Sequence, residues 1–317
     1  MSAVSALVVL LAAAACTPPI QLTPPPAASP AAIVALSGAS VMIGVGDIAS
    51  CQSRLSIGTA MLVDSVLRAD SIAKVPDAVF TLGDNVYSSG TTEQFNDCFT
   101  RTWGDPKKRI IKSLHPAPGN HEYYTPGADP YYKYFGPAAG VVGKGYYSYD
   151  VGAWHVVVVN SEIIVNPVFT DSARQAQMNW VAQDLKTHKT LCTIAYWHHP
   201  RFSSGWHGSD RKLGPMWQLL FDNAVELVLG GHDHDYERFR PMNPAGVVDT
   251  TTGMTQIVAG TGGEELRGFD DDIHPNSAYR IEGRAGVLLL TLGAAEYRSA
   301  FLEIGGRVWD QSGGRCH

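Results

Sequence analysis

From residue 41 onward, short apolar runs recur along the chain, each ending at a glycine or a polar side chain. They are Val41 to Val45, Ala78 to Leu82, Trp154 to Val159, Leu191 to Trp197, Val225 to Leu229, Gln256 to Ala259 and Val287 to Leu292. The runs are nearly continuous rather than alternating, which is the signature of strands covered on both faces. Between several of them the apolar positions recur at helical spacing, over Ile57 to Leu67, Gln94 to Trp103, Ala173 to Leu185 and Leu213 to Phe221. Strands alternating with amphipathic helices predict an α/β layered fold.

The ends of the strands carry the chemistry. Val41 to Val45 runs into Gly46-Asp47, and Ala78 to Leu82 into Gly83-Asp84-Asn85-Val86-Tyr87. Pro118-Gly119 leads into Asn120-His121-Glu122, the Leu191 run ends in His198-His199, and the Val225 run ends in Gly230-Gly231-His232-Asp233-His234. Each end delivers a metal-capable side chain, usually after a glycine that lets the backbone turn sharply, so a crevice at the strand ends is expected. Asp47, Asp84, Tyr87, Asn120, His198, His232 and His234 are more ligands than one tetrahedral ion takes, and their mixed oxygen and nitrogen donors suit two. Two neighbouring cations can clamp the oxygens of an in-line displacement at phosphorus and acidify a water between them. That chemistry is phosphoester hydrolysis.

The chain has 317 residues, 45% hydrophobic and 17% charged, which excludes disorder, collagen and coiled coil. Its formal net charge of -6 gives no basic footprint for a polyphosphate backbone, so no nucleic-acid partner is expected. Asp47 is the first charged residue. Residues 1–15 read as a signal peptide, because the apolar run Ala6 to Ala15 suits a secretory signal but is too short to span a bilayer. Leu11 to Cys16 looks like a lipobox, which would acylate Cys16 and attach the chain to a membrane; simple cleavage is the alternative. Residues 16–38, with six prolines between Pro18 and Pro30, read as an extended linker, and 39–317 as one domain. Export to a bacterial cell envelope, or secretion, follows. Without Cys16, four cysteines remain, none in a C-x-x-C pair; the placement favours Cys51 with Cys98 and Cys192 with Cys316 over four free thiols.

The order D, G-D-x-x-Y, G-N-H-E, a strand ending in His, and G-H-x-H, spaced 37, 36, 78 and 34 residues from Asp47 to His232, resembles the purple acid phosphatases within the calcineurin-like metallophosphoesterases. The resemblance implies a four-layer α/β sandwich, two mixed β-sheets flanked by helices with a dimetal centre at one edge. It also implies roles. Asp47, Asp84, Tyr87 and His234 would hold Fe(III), and Asp84, Asn120, His198 and His232 a divalent ion, whether Zn, Fe or Mn. Tyr87 is the discriminating position, because a phenol ionises at ordinary pH only for a strong Lewis acid. Asp84 would bridge the metals, and His121 and His207 would be the catalytic residues that contact phosphate and protonate the leaving group. Plant relatives carry two adjacent histidines where this chain has Trp206-His207-Gly208, so the acid is either His121 or His207.

Other conspicuous residues read as structural. His199 is expected to pack behind the ligands, His155 to be a hydrogen-bonded core residue, His115 to sit in a loop, and His188 and His274 on the surface. Asp270 to Asp272 lacks the ligand spacing of a calcium loop. The tyrosines between Tyr123 and Tyr134 either wall the cleft or pack as a loop. The leading expectation is an exported phosphomonoesterase acting on a small phosphorylated substrate. A phosphodiesterase or nucleotidase with the same metals is the alternative, and a non-catalytic surface protein is a third reading, disfavoured because no ligand position is missing. No G-x-S-x-G, Walker A or H-E-x-x-H sequence offers another hydrolase route.

Overall fold

The computed structural model describes residues 39–73 and 77–317, with no side-chain description over 70–77. The expected signal peptide, the lipobox at Cys16 and the linker all lie outside these residues. Among the described residues the strands are β1 Ser40–Val45, β2 Asp77–Leu82, β3 Leu114–Ala117, β4 Tyr147–Val151, β5 Trp154–Val158, β6 Cys192–Tyr196, β7 Leu227–Gly230, β8 Tyr236–Phe239, β9 Thr255–Ala259, β10 Ser277–Ile281, β11 Gly286–Leu292, β12 Glu296–Glu303 and β13 Val308–Arg315. They form two mixed sheets, β13-β12-β11-β1-β2-β3 and β10-β8-β9-β7-β6-β5-β4, with helices flanking them, as the layered sandwich requires.

The near-continuous apolar runs have a simple cause. In β5 and beyond, Val156 and Val158 belong to the core between the sheets, while Val157 and Val159 belong to a second core against the helices Asp171–Thr187 and Gly214–Asp222. The same alternation separates Ile194 and Tyr196 from Ala195 and Trp197, and Leu227 and Leu229 from Val228. Period-two side chains reach opposite faces, and here both faces are dry.

Parallel pairing decides where the site lies. β1, β2 and β3 are parallel neighbours, and β5, β6, β7 and β9 are likewise parallel, so their carboxyl ends meet at common edges. The two edges are joined, since Gly46 donates its N–H to the Ala259 carbonyl at 2.9 Å and Gly262 donates to the Gly46 carbonyl at 2.9 Å.

Two disulfides close the periphery, Cys51 to Cys98 and Cys192 to Cys316. Structural disulfides fit a chain that matures in an oxidising compartment. Three local expectations change. His115 is not in a loop but in β3, stacked face to face on Tyr149 at 3.6 Å. His274 is half-buried against Phe202 and Phe239 rather than on the surface. The helix expected over Gln94 to Trp103 is a single turn at Thr92–Gln94 that widens into a π-helical stretch, Phe95–Phe99.

Candidate metal centre

Seven side chains that sequence reasoning selected meet at the joined strand ends. Asp47 follows β1, Asp84 and Tyr87 follow β2, Asn120 follows β3, His198 follows β6, and His232 and His234 follow β7. Three of them, Asp47, Asp84 and His232, have left-handed backbone with φ of 61, 48 and 72°. Such conformations cost free energy for a residue with a Cβ, and they recur where a site over-determines them. Here the return is aim. The left-handed turns let the His232 N–H donate to Asp47 Oδ2 at 2.9 Å and the His121 N–H to Asp84 Oδ1 at 2.8 Å, so the other carboxylate oxygens point inward.

Those inner atoms fall into two sets that share Asp84 Oδ2. In the first, Tyr87 Oη lies 2.7 Å from Asp47 Oδ1, 3.1 Å from Asp84 Oδ2 and 3.3 Å from His234 Nε2. In the second, His198 Nε2 lies 3.1 Å from Asp84 Oδ2, 3.0 Å from Asn120 Oδ1 and 3.1 Å from His232 Nδ1. Backbone carbonyls fix two of the rings: His198 Nδ1 donates to the Leu82 carbonyl at 2.8 Å and His234 Nδ1 to the Glu265 carbonyl at 2.6 Å. Both Nε2 atoms therefore present a lone pair to the centre.

That arrangement tests whether cations fit. One ring nitrogen faced by a carboxylate, an amide oxygen and another imidazole cannot satisfy all three with a single proton. The electrostatics say the same. Burial opposes a charge on His198, yet the Asp84 carboxylate beside it outweighs burial and pushes the ring up to about 10. Asp84, despite burial, is held well below the usual carboxylate range by His198. Burial, Asp47 and Asp84 together push the Tyr87 phenol far above its usual value. The centre attracts positive charge, and its mixed oxygen and nitrogen donors suit two cations.

Supporting groups hold the loops. Glu122 accepts the N–H of Asn85 at 2.8 Å and of Gly119 at 2.8 Å, tying the β2 and β3 ends together. Gly119 and Gly83 are required by space: a Cβ on Gly119 would collide with Asp84, and one on Gly83, whose φ is +84°, would lie 2.6 Å from His198 Nδ1. His199 packs on His232 at 4.4 Å with Nδ1 2.9 Å from Ser161 Oγ, behind the ligands.

A cavity of about 440 Å³ opens above the centre, lined among others by Asp84, Tyr87, Asn120, His121, His207, His232 and His234. His121 Nδ1 donates to the Ser88 carbonyl at 2.7 Å, and its Nε2 is 3.7 Å from Asp84 Oδ2. Asp233 Oδ1 accepts both the N–H and the Nδ1–H of His207, at 2.8 and 3.1 Å. Sequence reasoning missed Asp233 in this role, although its place between two ligands in the G-H-D-H run was the available signal. It also missed Arg267, which lines the cavity and follows no motif. Of the tyrosine stretch, Tyr131 and Tyr132 are buried, and only Tyr124 lines the cavity. His155 is a buried, hydrogen-bonded residue; the Asp270 to Asp272 side chains are exposed.

A family model described as calcineurin-like phosphoesterase matches residues 46–236. Human acid phosphatase type 7 is 26% identical over 252 residues, covering 68% of this chain and 55% of that protein. Purple acid phosphatase 18 of Arabidopsis thaliana is 31% identical over 120 residues, 34% of this chain and 26% of that protein. The chain thus spans between about a quarter and about half the length of these relatives. Among solved structures, the purple acid phosphatase PPD1 of yellow lupin superposes with a TM-score of 0.69 at 19% identity, over 87% of this chain and 53% of that one. GAP50, titled the anchor in the inner membrane complex of Plasmodium, superposes with a TM-score of 0.70 at 13% identity, over 88% of this chain and 89% of that one. The chain belongs to the calcineurin-like phosphoesterase family, and the relatives it is similar to include proteins named acid phosphatase and purple acid phosphatase.

Proposed function

We propose that this calcineurin-like phosphoesterase is an exported dimetal phosphatase that hydrolyses phosphomonoesters. The observation that supports it most is the pair of four-donor sets sharing Asp84 Oδ2 at the floor of an open cavity. Asp47, Asp84, Tyr87 and His234 would hold Fe(III), because the phenol is the hardest of these donors to ionise; Asp84, Asn120, His198 and His232 would hold a divalent ion. When bound, the two cations supply Lewis-acid charge to phosphate oxygens and lower the pKa of water in the site.

The chain's own residues do the rest. Asp47, Asp84 and His198 are almost wholly buried, so water reaches the centre only from the cavity side. His121, fixed at Nδ1 by the Ser88 carbonyl, presents Nε2 to a phosphate oxygen. His207, fixed at Nδ1 by Asp233, presents Nε2 to the cavity. The water oxygen forms the new bond to phosphorus and gives up a proton to solvent, the bond to the leaving oxygen breaks, and protonated His207 Nε2 gives its proton to that oxygen. Asp233 compensates the positive charge of the ring before the transfer. Lipidation of Cys16 would place this site at a cell surface or in the periplasm.

Metal analysis, a visible spectrum and rates on a simple aryl phosphomonoester and its bis-aryl diester, all on the full chain, test the reading. About two metals per chain, a visible charge-transfer band lost in Tyr87→Phe, and faster monoester turnover are expected. A clear diester preference would replace the phosphatase with a phosphodiesterase, and a colourless protein with two zinc or manganese ions would remove the ferric site.

A further inference from the structure

Beside the cavity stand two aromatic side chains, Tyr124 and Trp206, that the proposed hydrolysis does not use. A chain of aromatic rings crosses the cavity lining and ends just outside it: Tyr124 to His121 at 4.8 Å, His121 to Tyr87 at 4.3 Å, Tyr87 to His234 at 5.9 Å, His234 to His207 at 6.5 Å and His207 to Trp206 at 5.0 Å, with Trp206 reaching the lining through His207 and Arg267. The inner members are held by the centre. The two end members are open, Tyr124 at 61% and Trp206 at 63% exposure. Four of the chain's tryptophans are wholly buried and two half-buried; only Trp206 is exposed.

Trp206 is also held rigid. It sits on a turn where Ser203 Oγ donates to Asp233, the Gly205 N–H donates to Ser203 Oγ at 2.9 Å, the His207 N–H donates to Asp233 at 2.8 Å, and Gly205 bridges to Phe269. One side of the indole is backed by the Arg267 guanidinium at 4.7 Å. Arg267 is itself anchored, its N–H donating to the His234 carbonyl at 3.0 Å, and its Nη1 lies 3.4 Å from His207 Nε2. No carboxylate pairs with Arg267 among the described residues. A cation without an acidic partner and an exposed indole therefore stand side by side, both next to His207, the residue assigned to leaving-group protonation. A pre-ordered aromatic face loses little entropy when a flat group stacks on it, and an unpaired guanidinium at a phosphate site offers a charge-assisted bond.

We propose that Trp206 and Arg267, with Tyr124 at the far end of the chain of rings, form a leaving-group subsite that selects phosphomonoesters carrying a planar aromatic ring, the class that includes aryl phosphates and nucleotides. The proposal rests on the phosphatase reading for its turnover test and is independent of it for its binding test. Trp206 stacks on the ring, and Arg267 holds a phosphate oxygen, an anionic acceptor that its guanidinium lacks in the free chain.

Two paired measurements on the metal-loaded full chain decide it. The ratio of kcat/KM for 2-naphthyl phosphate to that for glycerol 2-phosphate is expected to fall about fivefold or more in Trp206→Ala and to be largely restored in Trp206→Phe. Comparing ratios between variants cancels the intrinsic reactivity of the two leaving groups. By calorimetry, the preference for phenylphosphonate over methylphosphonate falls in the same variant, while Arg267→Gln weakens both about tenfold. Ratios that Trp206→Ala leaves unchanged in both assays overturn the subsite. A wild-type chain that turns over neither monoester defeats the phosphatase reading instead, and the phosphonate pair still reports on Trp206.

Discussion

His155 and His198 are both fully buried, both beside carboxylates, and have opposite hydrogen-bond accounts. His155 Nδ1 donates to Asp150 Oδ1 at 2.7 Å and Nε2 to Asp184 Oδ2 at 2.8 Å. Its two donors have two acceptors, so a protonated ring is complete and needs nothing further. His198 spends Nδ1 on the Leu82 carbonyl, and its Nε2 meets three acceptor groups. Burial and nearby acid do not separate a core histidine from a ligand. What does is whether the acceptors outnumber the protons, because the surplus of lone pairs defines a place for a cation.

The largest expected effect tests the centre. Asp84→Asn removes the oxygen common to both donor sets, so metal content should fall from about two per chain toward none, and kcat/KM by about 10³-fold or more. The metal-free variant should also be less stable than the metal-free wild type, by about 3 kcal/mol, since removing Asp84 leaves the buried His198 without the carboxylate that holds its charge. Elemental analysis and urea unfolding read the two arms. Retention of both metals would remove Asp84 from its bridging role.

The mirror experiment is His155→Ala. It leaves Asp184, itself almost fully buried, without its strongest partner, and should cost about 3 kcal/mol of folding stability. Metal content and turnover per folded molecule should not change, as assayed at a temperature well below the variant's Tm. Lost metal would mean the two histidines are not separate cases.

Gly83→Ala acts on one side of the comparison by space alone. The added methyl meets the His198 ring at 2.6 to 2.7 Å in a backbone with φ of +84°. Displacement of that ring should weaken binding of the divalent ion about tenfold, with a stability cost of about 1–2 kcal/mol, and should leave His155 untouched. Metal titration with a competing chelator measures the first, and urea unfolding the second.

The centre was legible in the sequence because a parallel strand with two buried faces writes a continuous apolar run and ends at a fixed edge. Residue identity just past that end is then chemistry rather than packing, which is why Asp47, Asp84, His198 and His232 could be picked out together, whereas Asn120 was picked out from the Pro118-Gly119 turn before it. Other strands wrote no such signal. β13 contains Gln311-Ser312-Gly313-Gly314-Arg315 and exists because β12 pairs with it, not because of its own pattern. β3 has four residues, one of them Pro116, and reads as a loop until its pairing with β2 is seen. The stretch after Gln94 has apolar residues at helical spacing, but Cys98 is tied to Cys51 and the helix widens there. Arg267 was invisible for another reason: its position comes from a loop that wraps the site, with Glu264 donating its N–H to the Asp47 carbonyl at 3.1 Å. Loop paths of this kind are set by the assembled edge and leave no periodic trace.

The smallest expected effect sharpens the comparison through pH. Burial opposes a charge on His155, yet its bonds to Asp184 and Asp150 outweigh it and raise the ring above its usual value. The groups facing it are those two carboxylates and His188, stacked at 4.5 Å. A base whose folded pKa is raised binds more protons folded than unfolded over the window between the two values. Its stabilisation is whole below about pH 6.5, the unfolded value, and is lost as pH rises through the folded one. Tm measured from pH 6 upward should therefore decline more steeply for the wild type than for His155→Gln. Metal-linked pH effects are common to both proteins and cancel in the difference. Parallel Tm curves would show that His155 is neutral in the folded chain, and the accounting that separates it from His198 would then rest on one donor rather than two.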